Sequence, residues 1–385
     1  MGAMLTLDAV DPRSAPKEVC RPLSSTLRWL RRGASDRPRM IANFAVTYRC
    51  SSRCQTCNIW RIPHAGRDEL SLVEIRALFR SNRGFLSDVR SIQITGGEPF
   101  MRPDLSEIVS AIHLCLPMCT FWVPTNGMAP RTIEEATKEM LEALGGHGLG
   151  ISVSIDGIGE THDLMRGVEG SYANAVETLR RLAALRSDHP GLGLSVGMTL
   201  APDNRGELGD VFALSRRYGA EFSFRAVNFS DIYYRKARGG FNLRDVVDKM
   251  IPVIRRIGRD LVERRGLAAA TPTLRYMRGV LDYIRDPEGR RLPCSAGSDS
   301  FFLDPSGNVY PCIIMDLRMG NVREQLLEEI WHSEAARDAR RRISHGLCPG
   351  CWVECEAFRD IHRDLLGLFS TALQAFLNPA TLGIK

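Results

Sequence analysis

At 385 residues the chain can hold a domain of roughly 200 residues beside a smaller one, and its 44% hydrophobic and 25% charged side chains are those of a globular protein. The formal net charge of +6 is mild for this length, and no aromatic-interleaved basic patch accompanies it, which speaks against a nucleic-acid partner. No run is long and apolar enough to span a bilayer and the N-terminus lacks an export pattern, so a cytoplasmic location is expected.

Residues 1–40 read as an N-terminal arm with a short amphipathic helix at 21–33, where Leu23, Leu27 and Leu30 fall at helical spacing opposite arginines. Packing on the main domain is its expected use, with membrane-surface docking as the alternative. From residue 41 strands and helices alternate. Strands are predicted at 41–48, 90–95, 119–125, 149–155, 193–200 and 221–227, and helices at 71–81, 104–115, 131–144, 172–186, 206–218 and 243–265. Ser71 with Glu74, and Thr132 with Glu135, fit capping boxes. Such alternation builds an α/β fold with a parallel sheet, whose active site lies beyond the strand C-termini. The expected domains are a core at 41–230, a helical connection at 231–285, a cysteine-rich domain at 286–358 and a C-terminal apolar helix at 359–385. That last helix is expected to pack on the barrel, with lipid contact as the minority reading.

Eleven cysteines, an odd number, argue against a disulfide framework and for metal or redox use. Cys20, Cys115 and Cys119 read as inert thiols. Cys50, Cys54 and Cys57, spaced C-x3-C-x2-C, follow the first strand directly. Three thiolates in so short a loop suit three corners of a 4Fe–4S cluster and leave one iron open, whereas a closed structural zinc site needs a fourth ligand. After the second strand comes Gly96-Gly97-Glu98-Pro99, where glycines admit backbone carbonyls close to an ammonium group and Glu98 adds a charged acceptor. Thr125-Asn126-Gly127 follows the third strand; Ser154 and then His162-Asp163-Leu164-Met165-Arg166-Gly167 follow on the fourth. His162 and Asp163 read as shaping their loop. Glu221, Arg225, Asn228, Tyr233 and Tyr234 are substrate-side candidates with no motif behind them.

With these motifs at successive strand ends, residues 40–230 resemble the radical S-adenosylmethionine (radical SAM) superfamily. The resemblance implies a partial (β/α)6 TIM-like barrel and a 4Fe–4S cluster on Cys50, Cys54 and Cys57, whose open iron chelates S-adenosylmethionine. It implies reductive cleavage to methionine and a 5′-deoxyadenosyl radical that abstracts hydrogen from a substrate. It assigns Gly96, Gly97 and Glu98 to the methionine amino group, Thr125 and Asn126 to the nucleoside, Ser154 to ribose or carboxylate, and Arg166 to the carboxylate. The family's aromatic residue before the third cysteine is replaced here by Thr56, and Trp60 offers a flat surface nearby.

Cys294, Gly307, Cys312, the Gly320-Asn321 turn, Ile330-Trp331 and Cys348, Cys351 and Cys355 resemble the SPASM/Twitch auxiliary-cluster domain of these enzymes. A hairpin turning at Pro305-Ser306-Gly307 would present the first two thiols. With fewer cysteines than a full SPASM domain, the expectation is one auxiliary 4Fe–4S cluster on four of these five, the spare thiol left open; a zinc ribbon is the alternative. The implied partners are a flavodoxin- or ferredoxin-type electron donor and a peptide or small-molecule substrate. The N-terminal segment reads as too short for a fused leader-recognition domain, so a separate recognition protein would deliver a peptide. Oxidation, epimerisation and bond formation all stay open, as do two alternatives: a lipid- or sugar-modifying enzyme at the membrane surface, and a non-catalytic iron–sulfur or zinc protein.

Overall fold

The computed structural model describes residues 39–63, 65–146, 148–230, 247–289 and 292–384. The N-terminal helix expected at 21–33 lies outside them, as do Cys20, Tyr233 and Tyr234. Six parallel strands, β1 (Met40–Thr47), β2 (Ser91–Gly96), β3 (Thr120–Thr125), β4 (Leu149–Ser154), β5 (Gly193–Leu200) and β6 (Glu221–Ala226), stand in sequential order. Their bounds fall within one residue of the predicted ones. Helices α1 (Leu72–Ser81), α2 (Leu105–Cys115), α3 (Pro130–Ala143), α4 (Glu160–Arg166), α5 (Ser171–Asp188) and α6 (Leu208–Arg217) lie between them. Ile92, Ile94, Phe121, Val123, Ile151 and Val153 point from alternate strand positions into the core shared with these helices. Gln93, Thr95, Ser152, Ser154 and Ser223 occupy the opposite parity and are half-exposed on the open face.

Two helix starts were expected to carry capping boxes, and one does. Ser71 accepts from the Glu74 backbone N–H while the Glu74 carboxylate accepts from the Ser71 N–H at 2.8 Å. At the other, the helix begins earlier: Pro130 takes its first position, where a fixed φ and a missing N–H cost nothing, so Thr132 lies inside the first turn and caps nothing.

The connection is two helices, α7 (Val247–Arg265) and α8 (Leu267–Arg285), broken at Gly266 with φ +76°. Beyond it the second domain continues the first domain's sheet. β7 (Ser300–Leu303) pairs parallel with β1, Met40 opposite Ser300 and Phe44 opposite Leu303; β8 (Asn308–Tyr310) and β9 (Gly320–Asn321) follow antiparallel. The expected hairpin thus covers the β1 edge, which would otherwise present unpaired backbone. Helices α9 (Leu327–Trp331), α10 (Glu334–Ser344), α11 (Glu354–Arg363) and α12 (Leu365–Leu377) complete the chain. α12 departs from expectation. It lies on α8 rather than on the sheet and buries Thr371 and Ala375, while Leu366, Phe369 and Phe376 are 84%, 69% and 72% exposed. No described helix is long and apolar enough to cross a membrane.

Candidate active site

The chain leaving β1 is fastened before it reaches the cysteines. Thr47 Oγ1 donates to Glu69 at 2.6 Å, the Gly97 N–H donates to the Thr47 carbonyl at 2.8 Å, and the Glu98 N–H to the Arg49 carbonyl at 2.8 Å. This gives the two glycines a structural use as well. A Cβ on Gly96 would lie 2.0 Å from the Thr47 carbonyl oxygen and one on Gly97 2.2 Å from that of Arg49, so what the missing side chains admit is the neighbouring strand's own backbone. Gly97→Ala should cost about 1–3 kcal/mol or more, because the obstruction is backbone and has no rotamer to yield. A melting temperature lowered by about 1 °C per kcal/mol is the expected readout in metal-free protein.

Two further segments converge on the cysteine loop. From the β3 end, Asn126 Nδ2 donates to Ser51 Oγ at 3.0 Å, and Met128 Sδ accepts from Ser52 Oγ at 3.5 Å. From the end of α4, the carbonyls of Arg166 and Met165 accept from the N–H groups of Arg53 and Gln55 at 2.8 and 2.9 Å. Gly167, at φ +65° with its would-be Cβ 2.5 Å from the Arg53 carbonyl oxygen, permits that approach. Within the loop, Trp60 Nε1 donates to the Cys57 carbonyl at 3.0 Å, so this ring braces the loop and stacks on Arg61.

Arg166 is held more tightly than its motif suggested. Its Nη2 pairs with Asp156 at 2.9 Å, its Nη1 lies 3.8 Å from Cys54 Sγ, and its Nε is buried without a hydrogen-bond partner among the described residues. Asp156 was not among the predicted residues, although a lone carboxylate two residues past β4 was the signal for it. Its other oxygen accepts from the Thr199 N–H at 2.8 Å. His162 Nδ1 accepts from the Asp156 N–H at 3.1 Å, and Asp163 accepts from Gly170, Ser171 and Tyr172 at 2.7–2.8 Å, fastening the start of α5.

Glu98 is 4% exposed and takes Thr125 Oγ1 and the Phe100 N–H on Oε1, and the Asn126 N–H on Oε2 at 2.6 Å. Burial pushes its carboxyl from an ordinary 4.5 up to about 7 despite these bonds. The folded state therefore keeps a proton that the unfolded chain releases, and this group's contribution to stability falls as pH rises from 4.5 to about 7. His162, driven down to about 4 by burial, acts with opposite sign, adding stability as pH rises from 4 to 6.5. Because the two offset, the test is a difference. In metal-free protein, the stability of wild type relative to Glu98→Gln should decline across the Glu98 window.

Burial drives the thiols of Cys50 and Cys57 up to about 12 and raises Cys54, which Arg166 opposes. Three desolvated thiols with one cation beside them fit a ligand set that iron must hold as thiolates. In the second domain burial likewise raises Cys294, Cys312, Cys351 and Cys355, and Cys351 stands within electrostatic reach of the other three. Cys348 packs at the rim of the small apolar cluster around Cys312 and Ile314. Asn43, buried on β1, donates to Cys355 Sγ at 3.5 Å and so joins the two domains at a thiol. Of the other candidates, Glu221 pairs with Arg264 and Arg265 at the far end of β6, while Arg225 pairs with Glu354 and Asn228 accepts from the Trp352 N–H.

The model of the Radical SAM superfamily matches residues 44–214, and that of the SPASM iron-sulfur cluster-binding domain matches residues 294–355. The chain belongs to the radical SAM superfamily. It carries a C-terminal SPASM-type domain, and as a member of this family it is an enzyme that uses a 4Fe–4S cluster to cleave S-adenosylmethionine reductively, with a second, auxiliary cluster. Over 351 residues the enzyme is 28% identical to AlbA, the antilisterial bacteriocin subtilosin biosynthesis protein of Bacillus subtilis, covering 84% of this chain and 69% of that one. Over 326 residues it is 26% identical to the AdoMet-dependent heme synthase of Methanosarcina barkeri, covering 77% and 82%. Among solved structures, Streptococcus suis SuiB bound to precursor peptide SuiA shares the fold with a TM-score of 0.57 at 14% identity, over 86% of this chain and 74% of that one.

Proposed function

We propose that this radical SAM enzyme modifies a peptide in natural-product maturation. The observation that carries the reading is the similarity to AlbA along 84% of the chain. SuiB, of the same fold, holds a precursor peptide. When bound, the cluster supplies the electron that cleaves S-adenosylmethionine, and the nucleoside fragment takes a hydrogen atom from the substrate. The chain's residues do the placing. Cys50, Cys54 and Cys57 hold the cluster. Arg166, with Asp156 fixing one edge of its fork and Nε unspent, meets the cofactor's carboxylate. Glu98 keeps a lone pair on Oε2 for the amino group, at the corner that Gly96 and Gly97 allow to close. Thr125 and Asn126 shape the turn under the nucleoside, and Ser154 faces it from the open side of the sheet. Four of Cys294, Cys312, Cys348, Cys351 and Cys355 hold the auxiliary cluster, leaving one thiol spare. A flavodoxin- or ferredoxin-type donor in the cytoplasm supplies electrons, and a separate recognition protein brings the peptide.

The test is to offer candidate precursor peptides to the reconstituted enzyme with S-adenosylmethionine and dithionite and to weigh the products. A peptide lighter by two hydrogens indicates oxidation or cross-linking; unchanged mass with solvent deuterium incorporated indicates epimerisation. Cofactor cleavage that no peptide stimulates, but a tetrapyrrole does, would replace this reading with one matching the heme synthases.

A further inference from the structure

Cys355 and Arg359 are four residues apart on α11, and therefore share a face of that helix. Most charges on this face are spent. Asp360 accepts from the Ser295 N–H at 3.2 Å, and Arg363 pairs with Asp299. Glu356 and Arg359 pair with each other, their side chains 3% and 10% exposed. Among the described residues, however, Glu356 Oε1 and Arg359 Nε and Nη1 are buried with no hydrogen-bond partner. A buried guanidinium with two unspent donors is costly unless an acceptor meets them. Beyond its partner Glu356, Arg359 interacts electrostatically with Cys355, with Asp360 and with Cys294, and Glu356 with Cys294, Cys312, Cys351 and Cys355, so sulfurs make up much of the acceptor set around the pair.

We propose that Arg359 donates through Nε and Nη1 to sulfur atoms of the auxiliary cluster and raises its reduction potential, with Glu356 as the clamp that orients the guanidinium. The proposal rests on the reading that these cysteines bind an iron–sulfur cluster. Such a cluster is anionic and becomes more so on reduction, so a buried cation donating to its sulfurs favours the reduced form, as hydrogen bonds and net charge generally do. Asn43, donating to Cys355 from β1, acts in the same direction.

The experiment uses the full chain carrying Cys50→Ala, Cys54→Ala and Cys57→Ala, so that the auxiliary cluster alone is observed. Iron content and the EPR spectrum of the reduced protein come first; absence of any cluster would refute the underlying reading, separately from the role of Arg359. With the cluster present, Arg359→Met should lower the reduced-to-oxidised ratio at fixed potential at least tenfold, which is 59 mV for a one-electron couple. Arg359→Lys should restore part of that. Pulsed EPR should show an exchangeable-proton coupling, in ordinary against heavy water, that Arg359→Met abolishes. Because that substitution strands Glu356, the double variant Glu356→Gln with Arg359→Met is titrated as well. It leaves no unpaired charge and should lose the same proton coupling. Loaded variants that titrate with the parent and keep the coupling would overturn the proposal.

Discussion

Replacing Cys50, Cys54 and Cys57 together by alanine is expected to stop 5′-deoxyadenosine formation while removing only half of the iron, from about eight per chain to about four. The two thiol sets lie on different elements: the first on the loop after β1, the second on the segments flanking the β7–β8 hairpin (Cys294 and Cys312), the segment entering α11 (Cys348 and Cys351) and the first turn of α11 (Cys355). The first loop is held by Asn126, by the Arg166 and Met165 carbonyls and by Trp60, none of which depends on the thiols. The variant should therefore fold and keep the auxiliary cluster. Iron analysis and chromatography of the reaction check both halves. Loss of all iron would mean that the domains load as one unit through the β1–β7 pairing.

The second large effect is expected at Arg166. Its pair with Asp156 is buried, the side chains 12% and 3% exposed. Removing one partner of a buried pair leaves an uncompensated charge, at a cost of about 3–5 kcal/mol. At about 1 °C per kcal/mol for a chain of this length, Arg166→Ala should melt roughly 4–6 °C below wild type. Cofactor cleavage should also fall to background, because the same side chain lies beside Cys54. Arg166→Lys keeps the charge but not the fork, and should recover more of the stability than of the activity. Melting curves and nucleoside yield separate the two. A variant with unaltered cleavage would remove Arg166 from the site.

Much of this was legible in the sequence, because short apolar strands followed by glycine- or cysteine-bearing loops leave little room for another assignment. β5 is a case in point, its Gly193–Leu200 bounds matching the predicted ones. What escaped depended on partners distant in sequence. The pairing of β7 with β1 joins residues some 260 positions apart (Met40 with Ser300), and nothing in either segment alone names the other. Gly96 and Gly97 read as letting backbone carbonyls near an ammonium group, and the close fit of both against the Thr47 and Arg49 carbonyls was not legible in the motif. Asp156 was passed over because its worth comes from Arg166, ten residues on, being folded back against it. The tail deceived through composition: Leu and Phe promised a buried helix, but its small residues, Thr371 and Ala375, make the contact that α8 accepts.

The central claim is that the Cys50/Cys54/Cys57 cluster keeps one iron for S-adenosylmethionine. Its most direct test is anaerobic reconstitution, EPR of the reduced protein with and without the cofactor, and quantification of products from the same sample. The account predicts a cluster signal that changes when the cofactor is added, followed by methionine and 5′-deoxyadenosine in equal amounts. An intact cluster whose signal ignores the cofactor and which yields neither product would contradict it.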